Sequence, residues 1–206
     1  MSTPYSRWVT LFTYLMGAAI ITGCEPTSLD EGLPAEASVV PLAGEMSTAT
    51  TTEVSEMSWA DVQKEIKTLD GRVVVVNIWT NTCAVCLAEF PAYAELSRRW
   101  TEDDVVFYDI NCDYDGIDDK PPAFYRPQVL ELHFKHPSAS RHVALTDAFI
   151  DFLDDNDIRS TPTVLVYDQS GKLVKQFDND KAYKEEDEFH ADDVGALVEQ
   201  MLKKKS

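Results

Sequence analysis

The sequence predicts an α/β domain, a central mixed β-sheet flanked by helices, and three observations carry that reading. Val73 to Trp79 and Val105 to Cys112 are nearly continuous apolar runs, as expected of strands covered on both faces. The stretch between them reads as a helix, which makes a βαβ unit with a right-handed crossover. Cys83-Ala84-Val85-Cys86 falls just after the first run, and Thr161-Pro162-Thr163 opens a third, β-branched one. Asp168-Gln169-Ser170-Gly171 then separates Val164 to Tyr167 from Leu173 to Phe177, a hairpin signal.

The chain divides into residues 1–23, a leader; 24–52, a flexible linker; and 53–206, the folded domain. Arg7 is the only charge before Cys24, and the apolar stretch from Trp8 to Ile21 is short for a membrane span. It therefore reads as a signal peptide, with Ile21-Thr22-Gly23-Cys24 ending it. Glu25 to Thr52 is rich in Pro, Ala, Ser, Thr and Glu without hydrophobic period, the composition of a disordered spacer. Its reach as a flexible chain is roughly 30 Å.

Within the domain, Ser58-Trp59-Ala60-Asp61 supplies a helix start with a capping hydroxyl and an acid in the first turn. Trp59, Val62, Ile66 and Leu69 recur at helical spacing, and Gly71 ends the element. The folded part is expected to begin near Ser58. A second helix runs from Cys83 toward Trp100, bent at Pro91. The segment from Cys112 to Pro162 is longer than a simple connection needs. It is expected to hold a helix beginning at Pro127 with Val129, Leu130, Leu132 and Phe134 as its apolar content. A strand at His142 to Leu145 and a helix at Thr146 to Leu153 follow. The last helix starts near Ala191, with Lys203 to Lys205 suited to its negative end.

A CxxC placed where a strand turns into a helix is a dithiol in a favourable field. Unpaired backbone N–H groups and the positive end of the helix dipole favour a thiolate at the first Cys. The two-residue spacer brings both sulfurs within disulfide reach. Cys83 is thus the expected nucleophile and Cys86 the resolving thiol.

Charge and cysteine counts exclude other classes. With 18 Lys+Arg against 36 Asp+Glu, the chain lacks the basic clusters that phosphate-backbone binding needs, so no nucleic acid is expected. Of the 4 Cys, Cys112 has no partner once Cys83 and Cys86 pair and Cys24 is set aside. At the end of a strand it reads as a small buried hydrophobe.

The order of elements and the two motifs resemble the thioredoxin fold. The closer resemblance is to the TlpA/ResA-like group of membrane-attached thiol-disulfide oxidoreductases, over about Ser58 to Lys205. It is carried by Asn77-Ile78-Trp79, by Cys83 through Pro91, by Thr161-Pro162-Thr163 and by the long insert before that last motif. Ile21-Thr22-Gly23-Cys24 resembles a bacterial lipobox, which implies lipidation of Cys24 and an extracytoplasmic domain anchored to the membrane. The resemblance implies a cis bond before Pro162, with the Thr161 backbone pairing to an extended client strand and Trp79 shielding the dithiol. It implies no cofactor and no metal. Thioredoxin carries a buried Asp where this chain has Asn77, and Glu89 matches the Glu of a related CxxCxxE pattern. Glu89 is therefore expected to relay protons. The implied partners are client proteins with disulfides or thiols and a membrane-embedded thiol reductant. The spacer Ala84-Val85 lacks the Pro common in that group, which leaves the direction of electron flow open.

A second class of function uses the same cysteines differently. Two thiolates at this spacing suit copper(I) or zinc, with His133 and His136 as further ligands. The His133-x-x-His136 spacing is short of the usual zinc-finger pattern.

Overall fold

The computed structural model describes residues 53–180 and 188–204. The expectations for residues 1–52, including the leader, the linker and Cys24, lie outside the described residues. Six strands, β1 (Val54–Met57), β2 (Val73–Trp79), β3 (Val105–Asn111), β4 (Arg141–Leu145), β5 (Thr163–Tyr167) and β6 (Leu173–Asp178), form a sheet in the order β1-β4-β3-β2-β5-β6. Neighbours from β1 to β2 pair in parallel, whereas β5 pairs antiparallel with β2 and β6 with β5. Helices α1 (Trp59–Ile66), α2 (Ala84–Leu96), α3 (Pro122–Lys135), α4 (Phe149–Asp155) and α5 (Ala191–Lys203) cover it. This is the thioredoxin-like arrangement that the motifs imply, with α3, β4 and α4 filling the segment between β3 and β5.

Burial on both faces explains the unbroken apolar runs. Val74, Val76 and Ile78 of β2, with Val106, Tyr108 and Ile110 of β3, pack under Trp59, Val62 and Ile66 of α1 and Phe152 of α4. The alternate residues Val73, Val75, Val105 and Phe107 meet Tyr93 and Leu96 of α2 and Val194 and Val198 of α5. Helices α2 and α5 touch closely at Gly195, where an added Cβ would lie 2.9 Å from Leu96 Cδ1. Farther along the same face, Trp79, Cys86, Phe90, Val129, Val54 and Ala144 form a third cluster beneath α2 and α3. No helix among the described residues is long and apolar enough to cross a membrane.

Several boundaries differ from the sequence expectations. Ser58 caps α1, its hydroxyl oxygen accepting from the Asp61 N–H at 3.2 Å, but the helix ends at Ile66. Leu69 is buried from the following turn, and Gly71, at φ 83°, serves that turn rather than the helix end. Helix α2 stops at Leu96 rather than Trp100 and keeps Pro91 inside it. Helix α3 starts at Pro122, not Pro127, because Pro122 already occupies the first helical position, where a missing N–H costs nothing. Helix α4 covers Phe149–Asp155 instead of Thr146 to Leu153. Strand β1, ahead of Ser58, was not expected; its only fully buried residue is Val54, and parallel pairing with β4 holds it.

Helix α3 places Val129, Leu130 and Leu132 toward the core as expected and departs from expectation at two neighbouring positions. Val129 and His133, one turn apart, point inward and are buried, while Phe134 is 83% exposed. A histidine thus takes a core position that an apolar residue next to it leaves empty.

Candidate redox site

β2 ends at Trp79, and a short loop carries the chain to Cys83, the N-cap of α2. That loop is tied to the end of β3. The Asp113 carboxylate accepts from the Asn81 N–H at 2.9 Å and from Asn111 Nδ2 at 2.7 Å, and the Cys112 N–H donates to the Trp79 carbonyl at 3.0 Å. Asp113 went unremarked in the sequence reading. An acid just beyond a strand is common, and only the fold sets it under the dithiol loop.

Cys83 and Cys86 form a disulfide with Cα atoms 5.2 Å apart. Cys83 is half-buried and Cys86 is buried, so an incoming group meets Cys83 first. The Cys86 N–H donates to Cys83 Sγ at 3.1 Å, as expected of a sulfur at a helix N-terminus.

The far-downstream motif arrives beside this sulfur. The Thr161–Pro162 peptide bond is cis, and the Thr161 carbonyl oxygen lies 3.3 Å from Cys83 Sγ. Pro162 is buried and Thr161 half-buried. Val85 and Leu87 are exposed on α2 next to the disulfide. Trp79 has no exposed surface. Its ring packs edge-on against Phe90 with centroids 5.1 Å apart, in the same cluster as Cys86, so it backs the dithiol from within the core.

Glu89 turns toward α5. Its carboxylate accepts from the Ala191 N–H at 3.3 Å and lies 3.2 Å from His190 Nδ1. These contacts join α2 to the start of α5, a link the CxxCxxE spacing did not suggest.

Cys112 is fully buried, and its thiol donates to the Trp79 carbonyl at 3.3 Å. Burial, reinforced by the nearby Asp113 carboxylate, pushes this thiol strongly up, away from the reactive thiolate form. Cys112→Ala is therefore expected to keep dithiol turnover and to lose only about 1 kcal/mol of stability. Thiol labelling of the folded protein followed by peptide mapping checks this. Rapid labelling of Cys112 would reveal a redox role.

The two histidines considered as metal ligands beside the dithiol both lie against the Phe90 ring but differ in burial. His133 is buried against Trp79 and Phe90, whereas His136 is half-buried. The three-donor cluster that His133 joins contains Asp109 and His142, not the cysteines.

No family model and no curated protein matches the chain. Solved structures do resemble it. A thiol-disulfide isomerase from Corynebacterium glutamicum aligns at 17% identity and a TM-score of 0.49, over 75% of this chain and 97% of its own. The exposed lipoprotein thioredoxin of Streptococcus pneumoniae aligns at 21% identity and 0.46, over 66% and 89%. A secreted disulfide oxidoreductase of Mycobacterium tuberculosis aligns at 18% identity and 0.45, over 65% and 84%.

Proposed function

We propose that the chain is a thiol-disulfide oxidoreductase working outside the cytoplasm, anchored through lipid on Cys24, that reduces disulfides in client proteins. The observation that carries this reading is a helix-capping Cys83, joined to Cys86, whose sulfur lies 3.3 Å from the Thr161 carbonyl at a cis-proline. In the reduced form the Cys83 thiolate attacks one sulfur of a client disulfide and releases the other as a thiolate. The Cys86 thiolate then attacks Cys83 Sγ, which closes the Cys83–Cys86 disulfide and frees the second client sulfur. Two electrons pass to the client, and a membrane-embedded thiol reductant restores the dithiol. The Thr161 backbone and the exposed Val85 and Leu87 offer an extended client strand its docking edge.

Reduction of insulin by the dithiol-regenerated protein tests this function, and Cys83→Ser should abolish it. Inertness of the wild type would overturn it. Mass spectrometry of membrane-extracted protein tests the anchor, which requires an acylated Cys24 at the mature N-terminus.

Glu89 is assigned the proton relay for Cys86, since Asn77 cannot act as a base. Glu89→Gln keeps an acceptor for the Ala191 N–H, so the fold should survive while turnover near neutral pH falls by up to about 10²-fold. An unchanged pH–rate profile would leave Glu89 only its structural link to α5.

A further inference from the structure

A buried polar cluster lies on the α2/α3 side of the sheet, apart from the sulfurs. Asp109 of β3, His142 of β4 and His133 of α3 are all buried, and one ligand atom from each lies within 4.8 Å of the other two. The two imidazole rings lie with centroids 3.5 Å apart, their planes tilted by 32°. Asn77 Nδ2 donates to Asp109 Oδ1 at 3.1 Å, and His142 Nδ1 stands 3.6 Å from Asp109 Oδ2, too far for a good hydrogen bond.

The cluster is short of partners. Among the described residues, neither ring nitrogen of His133 has a hydrogen-bond partner, nor do His142 Nδ1 and Asn77 Oδ1. Buried polar groups left this way are costly, and a core position given to histidine beside an exposed Phe134 is not explained by packing. Each imidazole, when neutral, has a nitrogen lone pair to give a cation.

We propose that Asp109, His133 and His142 form a binding site for a divalent first-row metal ion such as zinc. Two neutral imidazoles and a carboxylate are a donor set such ions accept, and binding requires the two rings to swing apart until their in-plane nitrogen lone pairs converge with the Asp109 carboxylate. Asn77 Oδ1 or a solvent molecule completes a four-coordinate sphere. His142 also lines a cleft of about 750 Å³ with Ser138 and Arg141, which supplies an entry path. The ion joins α3 to β3 and β4 directly behind Trp79 and Phe90, both of which touch His133. Its role is structural, and it does not depend on the redox reading.

The test is a calorimetric titration of zinc into the full chain with the Cys83–Cys86 disulfide intact, which removes those sulfurs as ligands. One equivalent should bind, and a hundredfold excess over Kd should raise Tm by about 5–10 °C. His133→Phe retains the ring packing on Trp79 and Phe90 and should weaken binding more than about a hundredfold. Absence of one-to-one binding, or binding that His133→Phe leaves intact, overturns the site. Ring resonances of the 4 histidines give a wild-type readout should that variant fail to fold. Zinc should move His133 and His142, and shifts confined to His136 and His190 would overturn the proposal.

Discussion

Cys86→Ser is expected to accumulate mixed disulfides with client proteins through Cys83, and Cys83→Ser to accumulate almost none. Two independent features set this asymmetry. Cys83 is the N-cap sulfur, receiving the Cys86 N–H at 3.1 Å and lying half-exposed beside the Thr161 carbonyl, whereas Cys86 is buried inside α2. A thiolate at the helix N-terminus is both more populated and more accessible, so it makes the first bond to the client. Removing Cys86 leaves that bond with no resolving thiol. Turnover should fall to background in both variants, while only Cys86→Ser should give client adducts on non-reducing gels that disappear with reductant. Equal trapping by the two variants would show that the roles are wrongly assigned.

Trp79→Ala should be the most destabilising single change near the site, by about 3–5 kcal/mol in denaturant unfolding. Trp79 is fully buried, and its ring holds Phe90 at 5.1 Å and His133 at 6.1 Å edge-on. Alanine would leave a cavity between β2, α2 and α3 that rigid strands on either side cannot close. One effect works against the loss. Trp79 Nε1 has no hydrogen-bond partner among the described residues, so its removal also deletes a buried orphan donor. The net cost should still exceed that of Cys112→Ala severalfold. A change below about 1 kcal/mol would mean that the wall behind the dithiol collapses freely and that Trp79 does not hold α2 and α3 apart.

Trp79 also separates what the sequence could state about its role from what it could not. The run Val73 to Trp79 identifies it as the last residue of a buried strand, and the nearby CxxC makes a shielding role reasonable. Which side of the strand it occupies relative to the sulfurs depends on α2 crossing the sheet. The structure puts Trp79 wholly inside, so the surface beside Cys83 belongs to Thr161, Val85 and Leu87.

Local signals determined much of the architecture. Continuous β-branched runs became β2, β3 and β5 because strands buried on both faces must be apolar throughout, and this requirement is visible residue by residue. The CxxC at the start of α2, the hairpin turn and the Ser58 cap were legible for the same reason, since each depends on neighbours a few positions apart. What was not legible depended on partners distant in sequence. Strand β1 has one buried residue and little pattern of its own, and it exists because β4 presents a parallel edge from about 90 residues away. The CxxCxxE spacing sets Glu89 one turn beyond Cys86, and only the fold shows that its carboxylate also contacts His190 and the Ala191 N–H at the start of α5. His133 read as a surface residue or a companion to the cysteines. It became a core residue because α3 packs on β1 and β4, where His142 and Asp109 arrive from different strands. The sequence by itself therefore determined the α/β class and the position of the dithiol, encoded in local periodicity and short spacing, while the cis bond before Pro162 was implied by the resemblance. Only the tertiary structure decided which sulfur is exposed, what stands behind it, and that two histidines and an aspartate share one buried site, because each depends on side chains brought together by sheet order rather than by sequence.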